Sequence, residues 1–191
     1  MPEYRRLFQP GGMFFFTLVT DRRRPLFAQA AAREMLGRAF RAVKAEMPFE
    51  NAAIVLLPDH LHCLWQLPDS DADFSTRWAR IKWAFSHSWT AAGGGQGRVS
   101  PSRRRRRERA IWQRRFWEHT IRDERDMIRH IEYIHYNPVK HELAQCPHAW
   151  PWSSFSDWVK RGILEPDWGC SCRGQAVRSP DFAGLDTTAM E

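Results

Sequence analysis

Long apolar runs are missing from this chain: nothing in its 191 residues approaches the roughly 20 that a membrane helix needs. The opening MPEYRRLFQPGG likewise lacks the apolar centre of a signal peptide. Both absences predict a cytoplasmic protein with no membrane partner. Cysteine is sparse, and Cys63, Cys146, Cys170 and Cys172 match neither a disulfide framework nor a CxxC zinc pair. The HxE and PCxxC pair of zinc deaminases is absent as well. Acidic balance is missing in one segment only. Residues 97–109, GRVSPSRRRRRER, hold seven arginines against one glutamate, so most of the net charge of +7 comes from there and the remainder is near neutral.

With 43% hydrophobic and 13% aromatic residues, the chain has enough apolar material for one core. The expected organisation is a single domain over residues 1–169 and a disordered tail over 170–191. Gly-rich AAGGGQG precedes the arginine run, and together residues 91–109 predict a flexible insertion. Runs of this kind bind phosphates through counterion release without reading sequence, which makes Arg103, Arg104, Arg105, Arg106 and Arg107 candidate DNA contacts. The alternative is a solvated charge run with no specific partner.

Hydrophobic periodicity gives an ordered series of elements. Residues 13–20, MFFFTLVT, predict a strand, and residues 28–47 a helix ending before Pro48. A second strand ends near Leu57, and a third spans 60–67, separated from it only by Pro58 and Asp59, as in a hairpin. Residues 74–89 predict a second helix, and 111–121 an aromatic strand. The order βαββαβ is that of a ferredoxin-like α+β fold, an antiparallel sheet with both helices on one face.

The stretch PDHLHCLW, residues 58–65, sets His60 and His62 two apart on a strand, so both imidazoles point to one side. Such a pair is either a solvated patch or part of a metal site. An added helix follows over residues 123–137, DERDMIRHIEYIHYN, closed by Pro138. At about 100° per residue, Met127, Ile128, Ile131 and Ile134 share one face. Asp126, His130, Tyr133 and Asn137 share the other. Tyr133 and Asn137, four apart, can reach one point, whereas Tyr136 lies nearer the solvated flank.

PDHLHCLW, FWEHTIRDERD (116–126) and EYIHYNPVKH (132–141), in that order, resemble the REP-associated tyrosine transposases, single-tyrosine members of the HUH endonucleases. The resemblance runs from EYRR near the start through WPWSSFSDWVKRG, residues 150–162. It implies an HUH nuclease fold in which the added C-terminal helix carries the nucleophile. It also implies His60 and His62 as metal ligands, Tyr133 as the nucleophile and Asn137 as a third group at the metal. The implied activity is cleavage and joining of single-stranded DNA beside REP-type hairpins, through a 5′-phosphotyrosine intermediate. Ligand softness leaves zinc, manganese, iron and magnesium open; the resemblance favours Mg2+ or Mn2+. It further implies that Tyr4, Arg5 and Arg6 contact a tetranucleotide next to the hairpin, and that the protein acts as a monomer, with a dimer as the alternative. Two rival classes remain: a metal-dependent hydrolase using water, and a non-catalytic protein that binds hairpin DNA.

Overall fold

The computed structural model describes residues 9–106 and 108–171, together with 180, 182 and 185. Four strands, β1 (Met13–Val19), β2 (Glu50–Leu56), β3 (His60–Gln66) and β4 (Trp117–Thr120), form one sheet in the order β2-β3-β1-β4. Every neighbouring pair is antiparallel. The predicted α+β arrangement is therefore present, with β1 and β3 at the centre.

Strand alternation sorts side chains into two cores. Phe14, Phe16 and Leu18 of β1 join Leu61, Cys63 and Trp65 of β3 under α1 (Ala30–Glu46) and α2 (Phe74–Ala91). Helix α1 presents Ala32, Leu36, Ala39 and Val43 to this core, positions three or four apart that make one stripe. Helix α2 begins at Asp73, whose carboxylate accepts the Thr76 N–H, and lays Phe74, Trp78, Ile81 and Phe85 on the same core. The reverse face of the sheet carries Phe15, Ala53, Val55 and Leu64 and is covered by α4 (Glu124–Lys140).

Helix α4 departs from the sequence expectation at its end. It does not end before Pro138 but runs on to Lys140. A proline so close to the end removes one N–H from the ladder, and its own carbonyl accepts the Leu143 and Ala144 N–H groups. Its buried side combines apolar and polar residues. Asp126, His130, Tyr133 and Asn137 are buried with Ile131 and Ile134, while Ile128 is 46% exposed. Polar groups are packed inward here because the sheet beneath them is itself polar at His60 and His62.

Strand β4 covers only the end of the predicted 111–121 strand. Ile111 and Trp112 are drawn into the α1/α2 core instead, touching the sheet through one bridge between Thr20 and Trp112. The segment 91–109, expected to be flexible, contains α3 (Pro101–Arg105) and is tied to the domain. Arg103 donates to Asp21 and to the Arg109 and Trp112 carbonyls, Arg109 donates to the Ser86 carbonyl, and Arg24 to the Gly95 carbonyl. Arginine forks saturate backbone carbonyls well, so charge alone does not keep this segment in solvent. After α4 the chain returns along the outer edge of β2. The Trp152 and Ser154 backbone pairs with Leu56 and Ile54, and short α5 (Phe155–Lys160) follows. The edge strand is thereby capped. Of the tail expected to be disordered, Phe182 and Leu185 pack on the core under α4. Among the described residues no helix is long and apolar enough to cross a membrane.

Candidate active site

His60 opens β3 and His62 sits opposite Thr17 of β1, so both imidazoles emerge from the sheet beneath α4. Both are buried, and each has its Nδ1 engaged. The Asp59 carboxylate, 2.5 Å away, accepts from His60 Nδ1, and Thr17 Oγ1 lies 2.8 Å from His62 Nδ1. Asp59 is itself held by Arg23 at 2.9 Å. Burial works to raise the Asp59 carboxyl, but His60 and Arg23 outweigh it and leave it below the ordinary range. Burial, reinforced by the nearby His60, His141, Lys140 and Arg23, drives His62 well below the usual imidazole range, which keeps it neutral.

The Nε2 atoms of His60 and His62 have no hydrogen-bond partner among the described residues. Neither has the Asn137 amide at either end. Leaving buried polar atoms unsatisfied costs about 1–3 kcal/mol each, so such a group points to an absent partner. The two rings lie 4.9 Å apart, and the Tyr133 ring is 5.2 Å from His62. Asn137 follows Tyr133 by one turn on the same buried side of α4. Two imidazoles with their Nδ1 atoms occupied, plus an amide oxygen, make a donor set that fits a divalent cation. Tyr136 does not belong to this group; it packs on Trp168 and Phe182.

Several neighbours escaped the sequence reading. His141 stands 5.3 Å from His60, and the Lys140 ammonium 5.0 Å from the Tyr133 ring. Position could have flagged His141, since it continues the Tyr133 and Asn137 row by four residues. Phe182 lies 5.3 Å from Tyr133. On the preceding turn, Asp126 bridges His119 at 2.8 Å and His130 at 3.3 Å, and pairs with Arg122. Burial opposes the Asp126 charge, yet hydrogen bonds from His119 and Arg122 lower its carboxyl to about 2. Burial lowers His130 to about 4 despite the Asp126 carbonyl on its Nδ1.

The candidate DNA contacts divide. Tyr4, Arg5, Arg6 and Arg107 lie outside the described residues. Arg103 is turned inward onto Asp21, while Arg104, Arg105 and Arg106 are exposed. A groove of about 800 Å³ between α2 and residues 103–115 is lined by Lys82, Arg106, Arg109, Arg114 and Arg115 beside Trp83 and Trp112.

The sequence model of the IS200-like transposases matches residues 12–137. A REP-associated tyrosine transposase of Escherichia coli (strain K12) is 41% identical over 169 residues, covering 88% of this chain and 91% of its own. A relative from Haemophilus influenzae is equally similar, at 41% over 169 residues, 88% of this chain and 94% of its own. A solved structure of a REP-associated tyrosine transposase bound to a REP hairpin is 42% identical, covers 88% of this chain and 91% of its own, and superposes with a TM-score of 0.73. The motifs, the sheet order and the helix docked over the paired histidines agree with that likeness, and the chain belongs to the IS200-like transposases as a REP-associated tyrosine transposase.

Proposed function

We propose that this enzyme cleaves and rejoins single-stranded DNA beside REP-type hairpins, with Tyr133 as nucleophile and His60, His62 and Asn137 as the groups that hold a divalent cation. The observation that carries the assignment is the juxtaposition of the buried Tyr133 ring with two imidazoles whose Nε2 atoms lack a partner among the described residues. The hairpin substrate follows from the family and from the relative solved with a REP hairpin.

The Tyr133 oxygen attacks phosphorus and forms an O–P bond as the P–O3′ bond breaks. The product is a 5′-phosphotyrosine and a 3′-hydroxyl. The phenolic proton departs to water, and the leaving oxygen takes one up. Phosphodiester energy is kept in the tyrosine ester, so another 3′-hydroxyl can reverse the step and join strands. Mg2+ or Mn2+ bound at this site would polarise the scissile phosphate and draw charge from the leaving oxygen. Asp59 and Thr17 orient the two imidazoles, and the Lys140 charge beside the Tyr133 ring favours the negative charge that develops during attack. The exposed Arg104, Arg105 and Arg106 supply sequence-independent phosphate contacts, with Tyr4, Arg5 and Arg6 reading bases next to the hairpin.

Incubating the protein with hairpin-bearing single-stranded DNA and Mn2+, then separating products under denaturing conditions, tests the assignment. A protein–DNA adduct is expected with the native protein and with Tyr136→Phe, and none with Tyr133→Phe, which should still bind hairpin. Cleavage without any adduct would instead support the water-using hydrolase. An adduct mapped to Tyr136 would overturn the choice of nucleophile.

A further inference from the structure

We infer that the chain carries a second metal site, a zinc site built from Cys146, His148 and Cys170, beside the C-terminal end of α4. Cys146 precedes the turn Pro147–Ala149, and Cys170 follows the loop after α5. Their ligand atoms and that of His148 all lie within 4.8 Å of one another, with Cys170 Sγ 3.3 Å from His148 Nδ1. In a tetrahedral zinc site with Zn–S of about 2.3 Å and Zn–N of about 2.0 Å, ligand atoms stand about 3.5–3.8 Å apart. The three donors are gathered closely enough for one ion, which would draw them together by up to about 1 Å and would take His148 Nδ1 from the Pro166 carbonyl that it now meets at 3.1 Å.

Backbone contacts independent of any metal set this spacing. Ser171 donates from both its N–H and its hydroxyl to the Gln145 carbonyl, which joins the residue before Cys146 to the residue after Cys170. Gly169 stands at φ +68°, where a Cβ would come within 3.1 Å of the Tyr136 ring and 3.2 Å of Pro147. Glycine at that point lets the chain approach closely enough to deliver Cys170. Cys146 and Cys170 are not joined as a disulfide.

Donor chemistry selects the ion. Two thiolates and an imidazole are soft ligands that prefer zinc over magnesium or manganese, whereas the site under α4 offers imidazole and amide oxygen. Zinc here would staple the segment after α4 to the segment after α5, holding Trp168 and Gly169 against Tyr136 and fixing the end of the helix that carries Tyr133.

Metal analysis of the full-length, untagged protein purified without chelator tests this. One zinc per chain is expected, kept in His60→Ala and His62→Ala and lost in Cys146→Ser and Cys170→Ser. Cobalt in place of zinc should show a thiolate-to-metal charge-transfer band. His148 is exposed, so His148→Asn should fold normally and weaken zinc binding at least tenfold in a competition titration with a zinc indicator. Protein without zinc, zinc that leaves with the His60 or His62 substitutions, a cobalt complex lacking the thiolate band, or a Cys146–Cys170 disulfide in the isolated protein would each overturn the site.

Discussion

Asp59 shows how a single side chain sets the chemistry of its neighbour. By accepting from His60 Nδ1 it fixes the tautomer whose Nε2 lone pair faces the site, and Arg23 fixes Asp59 in turn. Arg22 and Arg23 both adopt left-handed backbone conformations, at φ 56° and 51°. Such conformations cost roughly 1 kcal/mol or more in a non-glycine residue and persist where the surroundings impose them. Here they sit in the turn that brings the Arg23 guanidinium to Asp59. Asp59→Asn should therefore fold and bind hairpin DNA but lose cleavage by about 10–100-fold, with a raised Mn2+ requirement. A metal titration of cleavage that matches the native curve would refute the orienting role. His60→Ala and His62→Ala, which remove ligands outright, should abolish cleavage with the fold intact, and full activity in either variant, or of native protein in excess chelator, would rule out the metal site.

At the scale of elements, the arginines of α3 and its end occupy two environments that look identical as letters. Arg103 pairs with Asp21 at 2.7 Å and both side chains are largely withdrawn from solvent. Arg103→Gln should cost about 1–3 kcal/mol of stability, since it strands the Asp21 carboxylate. Replacing Arg104, Arg105 and Arg106 together by Gln should leave the denaturant midpoint unchanged. It should instead lower the slope of log affinity against log salt for single-stranded DNA by about 2, as three phosphate contacts are lost. Equal salt slopes for native and triple-Gln proteins would mean that these arginines are solvated and touch no DNA.

Across the whole molecule, buried histidines tie stability to pH. Burial lowers His135, packed between Phe155 and Trp158, to about 3. Between that value and the unfolded value of about 6.5 the unfolded chain holds a proton the folded chain refuses, so stability falls as pH drops through this window. His130, lowered to about 4, acts in the same direction. Asp126, lowered to about 2, stabilises above its unfolded value and loses that contribution only as pH falls toward 2. Urea unfolding at pH 7 and pH 5 should show a marked loss at the lower pH, and His135→Gln should reduce that difference by up to about 2 kcal/mol. An identical pH dependence in the variant would place the titrating groups elsewhere.

Local pattern was enough for most of the frame. Alternation marked the strands, helical spacing put Tyr133 and Asn137 on one side of α4, and His60 and His62 had to share a face because a strand repeats every two residues. The same local rules ended α4 too early, because Pro138 reads as a stop although the helix runs on to Lys140. They also treated five adjacent arginines as equivalent, although a partner 82 residues away turns one of them inward. Thr17 reaches His62 only through the pairing of β1 with β3, across 45 residues, and the three candidate zinc ligands meet only once α5 has folded back. Periodicity is a property of neighbours along the chain, so the sequence by itself determined most of the elements and the face each candidate residue occupies. Which faces meet depends on contacts between distant segments, and those only the tertiary structure decided.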